Sequence, residues 1–355
     1  MGRLVLTGIG PLTPIGMGKK QFWDAILNGF SGIRKITKLP AFSECYGGEI
    51  GDINFDEYIP DKRFRRTADI SRYTMLAVKL AIDDANPDSS SLENLGIIVS
   101  LTHGALNYTQ SYHRLLITEG VESVSPIFFC DSILNASAGN TSICFGVHGP
   151  VHTLIGGKTI ATKAILRAAQ MIRAGAIDKS IIVSADELNE LSFSCYSRLG
   201  LSPLSEGAGA LFLENEHTMK GVFPYCYLSG IASRSNPSDL SLAFHTTMEK
   251  SLEMANLKTS DIDLVMAEPS LSDMIGRCLN TGNIPVGSIA SLTGSAFSVT
   301  TMWDIIVSAL IIKYGIAPSS IISKREKLPD EIRNIMICVT EREGVASTVI
   351  LSKYP

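Results

Sequence analysis

The chain runs one plan of alternating strand and helix twice, with a glycine turn at the same point of each pass. Few folds accommodate that pattern. In the first pass residues 151–155 read as a strand, Gly156-Gly157 as a sharp turn, and residues 158–174 as a helix. That helix carries Ala161, Ile165, Ala168 and Ile172 on one stripe and stops at Gly175. In the second pass Thr293-Gly294 turns into a helix over 298–314. A helix over 71–84 followed by a strand over 95–101 is echoed by a helix over 247–256 and a strand over 263–267. Further strands are expected over 3–7, 180–185, 207–214, 335–339 and 347–351, and further helices over 20–28, 106–117 and 135–145. Alternation of this kind calls for parallel sheets covered by helices. The expectation is two similar α/β halves, 1–220 and 221–355, joined somewhere around 221–235 and packed as one compact unit.

Composition fits that plan. Hydrophobic residues make up 45% of the chain and charged residues 19%, which suits sheet buried on both faces and does not suit disorder. The net charge of −4, without a Lys/Arg block, argues against a nucleic-acid partner. After Arg3 the apolar run Leu4-Val5-Leu6 gives way to Gly and Pro, so no secretory signal is expected. The best apolar stretch, 305–312, is about half of the roughly 20 residues a membrane span needs, and it follows Asp304. A cytoplasmic protein without a membrane span is expected.

Seven cysteines, Cys45, Cys130, Cys144, Cys195, Cys226, Cys278 and Cys338, are scattered without a C-x-x-C pair and read as buried thiols. His148 and His152 have a metal-binding spacing only on a helix, and Gly149-Pro150 between them opposes one. No metal or cofactor is expected. Gly156-Gly157-Lys158-Thr159, followed by the Walker-B-like strand ending at Asp186, invites comparison with a P-loop. The full motif needs a glycine where His152 stands, and Leu154 and Ile155 give the loop no reason to open around phosphates.

Several blocks together carry a resemblance: residues 3–10 (RLVLTGIG), Phe22-Trp23, Gly32-Ile33-Arg34, Arg65-Arg66, Ser71-Arg72-Tyr73, residues 135–140 (NASAGN), 145–150 (FGVHGP) and 205–214 (SEGAGALFLE). In this order and spacing the chain resembles the β-ketoacyl-acyl carrier protein synthases over nearly its whole length, more weakly after Gly221. The resemblance implies the duplicated thiolase-like fold, five alternating layers (αβαβα) with two mixed, mainly parallel sheets. It also implies a catalytic Cys at a strand-to-helix turn, eight residues after a Gly-Pro pair. There the helix N-terminus stabilises the thiolate, while two His residues assist decarboxylation and hold developing negative charge.

This sequence departs from the family at each of those places. Eight residues after Pro150 stands Lys158. Met266-Ala267-Glu268-Pro269-Ser270 stands for N-A-H-G-T, so Glu268 replaces the first His, and Thr293-Gly294-Ser295 puts Ser295 for the second. Ala290 matches the family Lys, and Arg342-Glu343-Gly344-Val345 replaces the G-F-G-G loop with its gating Phe. Segments between Leu201 and Leu204 and after Pro269 are shorter than the family's. No catalytic residue remains, and a cation at a helix N-terminus has the wrong sign for the family chemistry. Lys158 and Glu268 are expected to face one another, since a buried Lys is tolerable when paired. The alternatives are a Lys158 that snorkels into a solvated pocket, or an enzyme using Lys158 as a Schiff-base nucleophile with Glu268.

The resemblance implies a dimer in which each subunit walls the other's acyl tunnel. A copy without chemistry then resembles the chain-length factor of type II polyketide or aryl polyene systems, partnered by an active ketosynthase and meeting the acyl carrier protein through that complex. The interface is expected at Phe128, Phe129, Asn135 and the strand Val151, His152, Thr153, Leu154 and Ile155. Tyr108, Tyr112, Leu115 and Ile133 are the candidates to face the tunnel or the partner, against ordinary packing. The competing reading is a self-paired scaffold that binds an acyl carrier protein or a lipid without chemistry.

Overall fold

The computed structural model describes residues 2–87, 92, 94–201, 203–219, 222–279, 284–322 and 328–355. The expected boundary at 220/221 lies outside the described residues, as does residue 202 in the segment expected to be short. The chain opens with β1 (Leu4–Thr13), β2 (Gly16–Met17) and α1 (Gly18–Leu27), then β3 (Ile33–Lys35), β4 (Tyr46–Gly48), α2 (Phe55–Tyr58) and α3 (Asp69–Ala85). It continues through β5 (Gly96–Leu101), α4 (Leu106–Glu119), α5 (Pro126–Ser132), α6 (Ala136–Phe145), β6 (Val151–Ile155) and α7 (Ile160–Arg173). Next come β7 (Lys179–Asp186), α8 (Glu190–Arg198), β8 (Leu204–Ser205), β9 (Gly207–Asn215), β10 (Cys226–Ser235) and α9 (Leu240–Ala255). The rest is β11 (Leu264–Met266), α10 (Ser272–Leu279), β12 (Val286–Gly287), α11 (Ala290–Thr293), α12 (Ser298–Tyr314), β13 (Asn334–Glu341) and β14 (Val345–Ser352).

The duplication is visible in strand order. One half reads β6-β5-β7-β9-β1 and the other β12-β11-β13-β14-β10. The two join where Leu4 to Leu6 of β1 pair with Leu228 to Cys226 of β10, so the stretch expected to link the halves is mostly strand. A small sheet, β3-β4-β8, lies apart.

The sheets are mixed, but they are not mainly parallel. Parallel pairing in the large sheet is confined to β5 with β6 and β7, and β11 with β12 and β13. The remaining pairings of the large sheet are antiparallel. Parallel neighbours need a crossover, and helices lie along the chain between the members of each of these parallel pairs. β13 and β14 are joined by a turn through Gly344 at φ +83°.

Five layers follow. α7 and α12 lie between the two halves of the sheet. Ala161, Ala164, Ile165 and Ala168 of α7 and Met302, Trp303, Ile306 and Leu310 of α12 share one core with Ile182 and Leu211 of the first half and Ile335 and Leu351 of the second. Every α12 residue from Ser298 to Ile312 is buried, as a helix apolar on all sides should be. No described helix is long and apolar enough to cross a membrane. α3 covers the outer face of the first half and α9 that of the second.

β1 runs past the residue where the sequence suggested an end. Gly8 and Gly10 are packing glycines rather than turn glycines. A Cβ on Gly10 would sit 2.0 Å from the Ala77 carbonyl oxygen of α3, and one on Gly8 2.3 Å from that of Ala81. Helix and strand touch backbone to backbone here. Gly10→Ala is expected to cost about 3 kcal/mol by overpacking, read by urea unfolding. A change within about 0.5 kcal/mol, the range of inert surface substitutions, would contradict that close approach.

Candidate functional site

The turn from β6 to α7 lies at the centre of the molecule because α7 is the buried middle layer. Three parts of the second half converge on it. The Lys158 amine is ion-paired with Glu268, just after β11. The Lys158 carbonyl accepts from the Thr301 hydroxyl of α12 at 3.1 Å. Oε1 of Glu341, the last residue of β13, accepts from Thr159 N at 2.6 Å and from Thr159 Oγ1 at 2.7 Å. Gly157 makes room for this: a Cβ there would lie 3.0 Å from the Glu341 carboxyl group.

Lys158 and Glu268 therefore meet, with side chains 23% and 40% exposed. Lys158 is neither free in a solvated pocket nor aimed at an open cavity. Ser295 is stitched by its backbone instead, its N–H donating to Pro203 O and its carbonyl accepting from Ser205 N, and it does not line the pocket. The pocket beside the Lys158–Glu268 pair is about 20 Å³, bounded by Leu271, Phe297, Thr301, Asp304 and Thr340 among others. That is room for about one water.

The space next to the turn is filled from the side by residues the sequence reading missed. Phe297, the residue before α12, is held at φ +49°, ψ −115°, a conformation that costs a non-glycine residue about 1–3 kcal/mol. Its ring packs on Tyr196 at 4.6 Å and on His103 at 5.1 Å. His103 Nε2 hydrogen-bonds the Tyr196 hydroxyl at 2.8 Å. Asp186 sits beneath and accepts from Thr102 N and Oγ1, His103 N and Ser298 Oγ. The residue a P-loop reading would give to a cation is thus a loop organiser. The position of Phe297, two residues after Ser295, was the available signal.

Asp304, nearly two turns into α12, is buried and shares the pocket with the pair. Burial pushes its carboxyl up to about 7; the Glu268 charge adds to this, and hydrogen bonds from Ile289 N and Ser288 Oγ oppose it.

The other expected residues lie on a second surface. α4 has no buried residue, packs on α5, and α5 on α6, which rests on β5 and β6. β6 is one edge of the large sheet, β12 being the other. Tyr108 donates its hydroxyl to Arg66 O at 2.7 Å and packs edge-on to Phe128, so its own chain already employs it. Tyr112 lies against Phe129 at 5.7 Å, and Leu115 is half-buried. Phe129, Ile133, Asn135, Val151 and Ile155 are exposed, and His152, Thr153 and Leu154 half-buried. Ile117 of α4 (80% exposed) and Ile143 of α6 (56%) are further exposed apolar side chains.

Comparison with known proteins identifies the family and the fold. The family model for the beta-ketoacyl synthase N-terminal domain matches residues 1–210; the chain belongs to that family. It is 24% identical over 360 residues to 3-oxoacyl-[acyl-carrier-protein] synthase 2 of Staphylococcus aureus (strain COL), covering 88% of this chain and 86% of that protein. Its fold matches the ishigamide ketosynthase/chain length factor with a TM-score of 0.91 at 20% identity, all of both chains being covered. It also matches AntDE:AntF, a type II PKS acyl-carrier protein in complex with its ketosynthase, with a TM-score of 0.84 at 20% identity, covering 99% of this chain and 100% of that one.

Asp304 gives a pH test. Its native carboxyl titrates near 7 against 3.8 ordinarily, so between those values the native state keeps a proton that the unfolded chain releases. The stability contribution is full below about pH 4 and declines as pH rises to about 7. Urea unfolding from pH 4.5 to 7 is expected to show a shallower decline for Asp304→Asn than for the parent; equal slopes would contradict the assignment.

Proposed function

We propose that this member of the β-ketoacyl synthase family is a non-catalytic subunit. In this reading it pairs with an active β-ketoacyl-acyl carrier protein synthase and shapes that partner's acyl tunnel, as a chain-length factor does, in polyketide, aryl polyene or fatty-acid-like biosynthesis. The carrier protein then meets the chain through the complex. The observation that carries the reading is the β6–α7 turn. It offers the amine of Lys158, already paired with Glu268, beside a space of about 20 Å³. An acyl chain needs a tunnel and the condensation needs a thiolate; neither has a place there.

Pairing is supported by the free edge of β6 and by the apolar side chains around it. An edge strand with exposed Val151 and Ile155 invites another strand, and exposed apolar side chains on the helices packed beside it suit an interface. A fold likeness to a ketosynthase/chain length factor over its full length is consistent with this reading. Self-pairing on the same edge is the competing outcome.

Native mass spectrometry of the chain, alone and co-expressed with the ketosynthase encoded nearest to it, separates these. A one-to-one complex formed at the expense of homodimer is expected; a homodimer that ignores the ketosynthase would contradict the proposal. Val151→Asp with Ile155→Asp should abolish the complex while leaving the circular dichroism spectrum of the chain intact. Tyr112→Ala or Tyr108→Ala should lengthen the partner's product by at least one extension unit, and unchanged lengths for both would remove α4 from the tunnel wall.

A further inference from the structure

The first N–H groups of α7 are, like those of any helix, without partners inside the helix, and the positive end of the helix dipole lies there. α7 is fourteen residues long and its start is buried, Thr159 being 1% exposed. Something must meet those donors. For Thr159, which caps α7, it is Glu341: one carboxylate oxygen takes both the N–H and the hydroxyl of Thr159, while Ile160 N donates to Gly157 O. The contact is built in from both sides. Glu341 ends β13 in register with Val345, and the strand reverses immediately through Gly344 at φ +83°. On the facing side Gly157 leaves the carboxyl group 3.0 Å of clearance from where a Cβ would stand.

We infer that Glu341 is an internal occupant of the turn that blocks it independently of Lys158, so that the site is shut twice over. A helix start favours a thiolate because of its free N–H groups and positive dipole end. Here a carboxylate already takes the Thr159 N–H and lies at the positive end of the helix. Glu268 adds a second carboxylate within reach of residue 158. Restoring a cysteine at position 158 would therefore place its sulfur beside two carboxylates, where the thiol form is favoured and nucleophilicity is low. Removing the Lys alone does not reopen the site; Glu341 has to go as well. This double closure belongs to one turn and holds whether or not the chain pairs with a ketosynthase.

The test reads a thiol, not a product. Lys158→Cys, Lys158→Cys with Glu341→Gln, and Lys158→Cys with Glu343→Gln (an exposed neighbour) are alkylated with iodoacetamide across pH 5–10. Modification of the peptide containing residue 158 is followed by mass spectrometry, because Cys130 and Cys195 are also exposed. The introduced thiol of the single variant should titrate at or above an ordinary cysteine, near 8.5. In the Glu341→Gln double variant it should titrate at least about one pH unit lower and react about tenfold faster at pH 7, and the Glu343→Gln control should match the single variant. A low-titrating introduced thiol in the single variant, or no gain from Glu341→Gln, would overturn the inference. If the double variant does not fold, hydrogen exchange of the Thr159 amide in Glu341→Gln with Lys158 intact decides. Exchange at least about tenfold faster, the scale of one lost hydrogen bond, is expected, and unchanged exchange would overturn it.

Discussion

The two helices α7 and α12, buried between the halves of the sheet, are the constraint on which the rest depends. α7 buries an apolar stripe and keeps Arg167 and Gln170 exposed, while α12 is buried from Ser298 through Ile312. Burying them fixes where they begin. The turn before α7 and the unusual backbone of Phe297 before α12 then lie side by side at the middle of the molecule, with the ends of β11 and β13 facing them. Any residues placed there are held rigidly and partly shielded from water. That is the setting in which electrostatics acts strongly, and it can serve a reaction or a structural tie equally well.

This chain uses it for ties. Lys158 to Glu268, Thr159 to Glu341 and the Lys158 carbonyl to Thr301 each connect the first half to the second. Phe297 on His103 and Tyr196 is a fourth. A reactive centre keeps polar groups poised around empty space for a substrate. Here the polar groups satisfy one another and the remaining space holds about one water. A partly exposed ion pair such as Lys158–Glu268 contributes little net stability, so the gain is better described as alignment of the two halves. The outer surface is built the opposite way. α4 lies on the surface without a buried residue, β6 ends the sheet, and apolar side chains between them are left uncovered. A monomer closed at its centre and open at its edge is consistent with a subunit whose contribution lies in what it touches.

Much of this was legible in the sequence, for physical reasons. β6 and α12 have the expected bounds because apolar runs and glycine stops delimit them, and the duplicated order appears because periodicity repeats. The pairing of Lys158 with Glu268 was foreseeable because the two charges stand at neighbouring positions of the family pattern and are partly shielded from water. Other features were not. Gly8, Gly10 and Pro11 look like a turn, and only the proximity of α3 reveals them as the interior of a strand. The predominance of antiparallel pairing depends on which strands lie side by side, which local pattern does not report. Glu341 stands just before the loop that replaces the family pattern and carries no motif of its own, and the His103–Tyr196–Phe297 stack joins three distant segments of ordinary polarity.

The central claim is that the chemistry of the complex resides in the partner and not in this chain. The most direct measurement is product formation by the reconstituted complex carrying Lys158→Met here, set beside a complex in which the partner's nucleophilic cysteine is replaced by alanine. Undiminished turnover with the first and none with the second is the predicted result. An assembled complex that loses turnover on Lys158→Met, with the partner's cysteine intact, would contradict it.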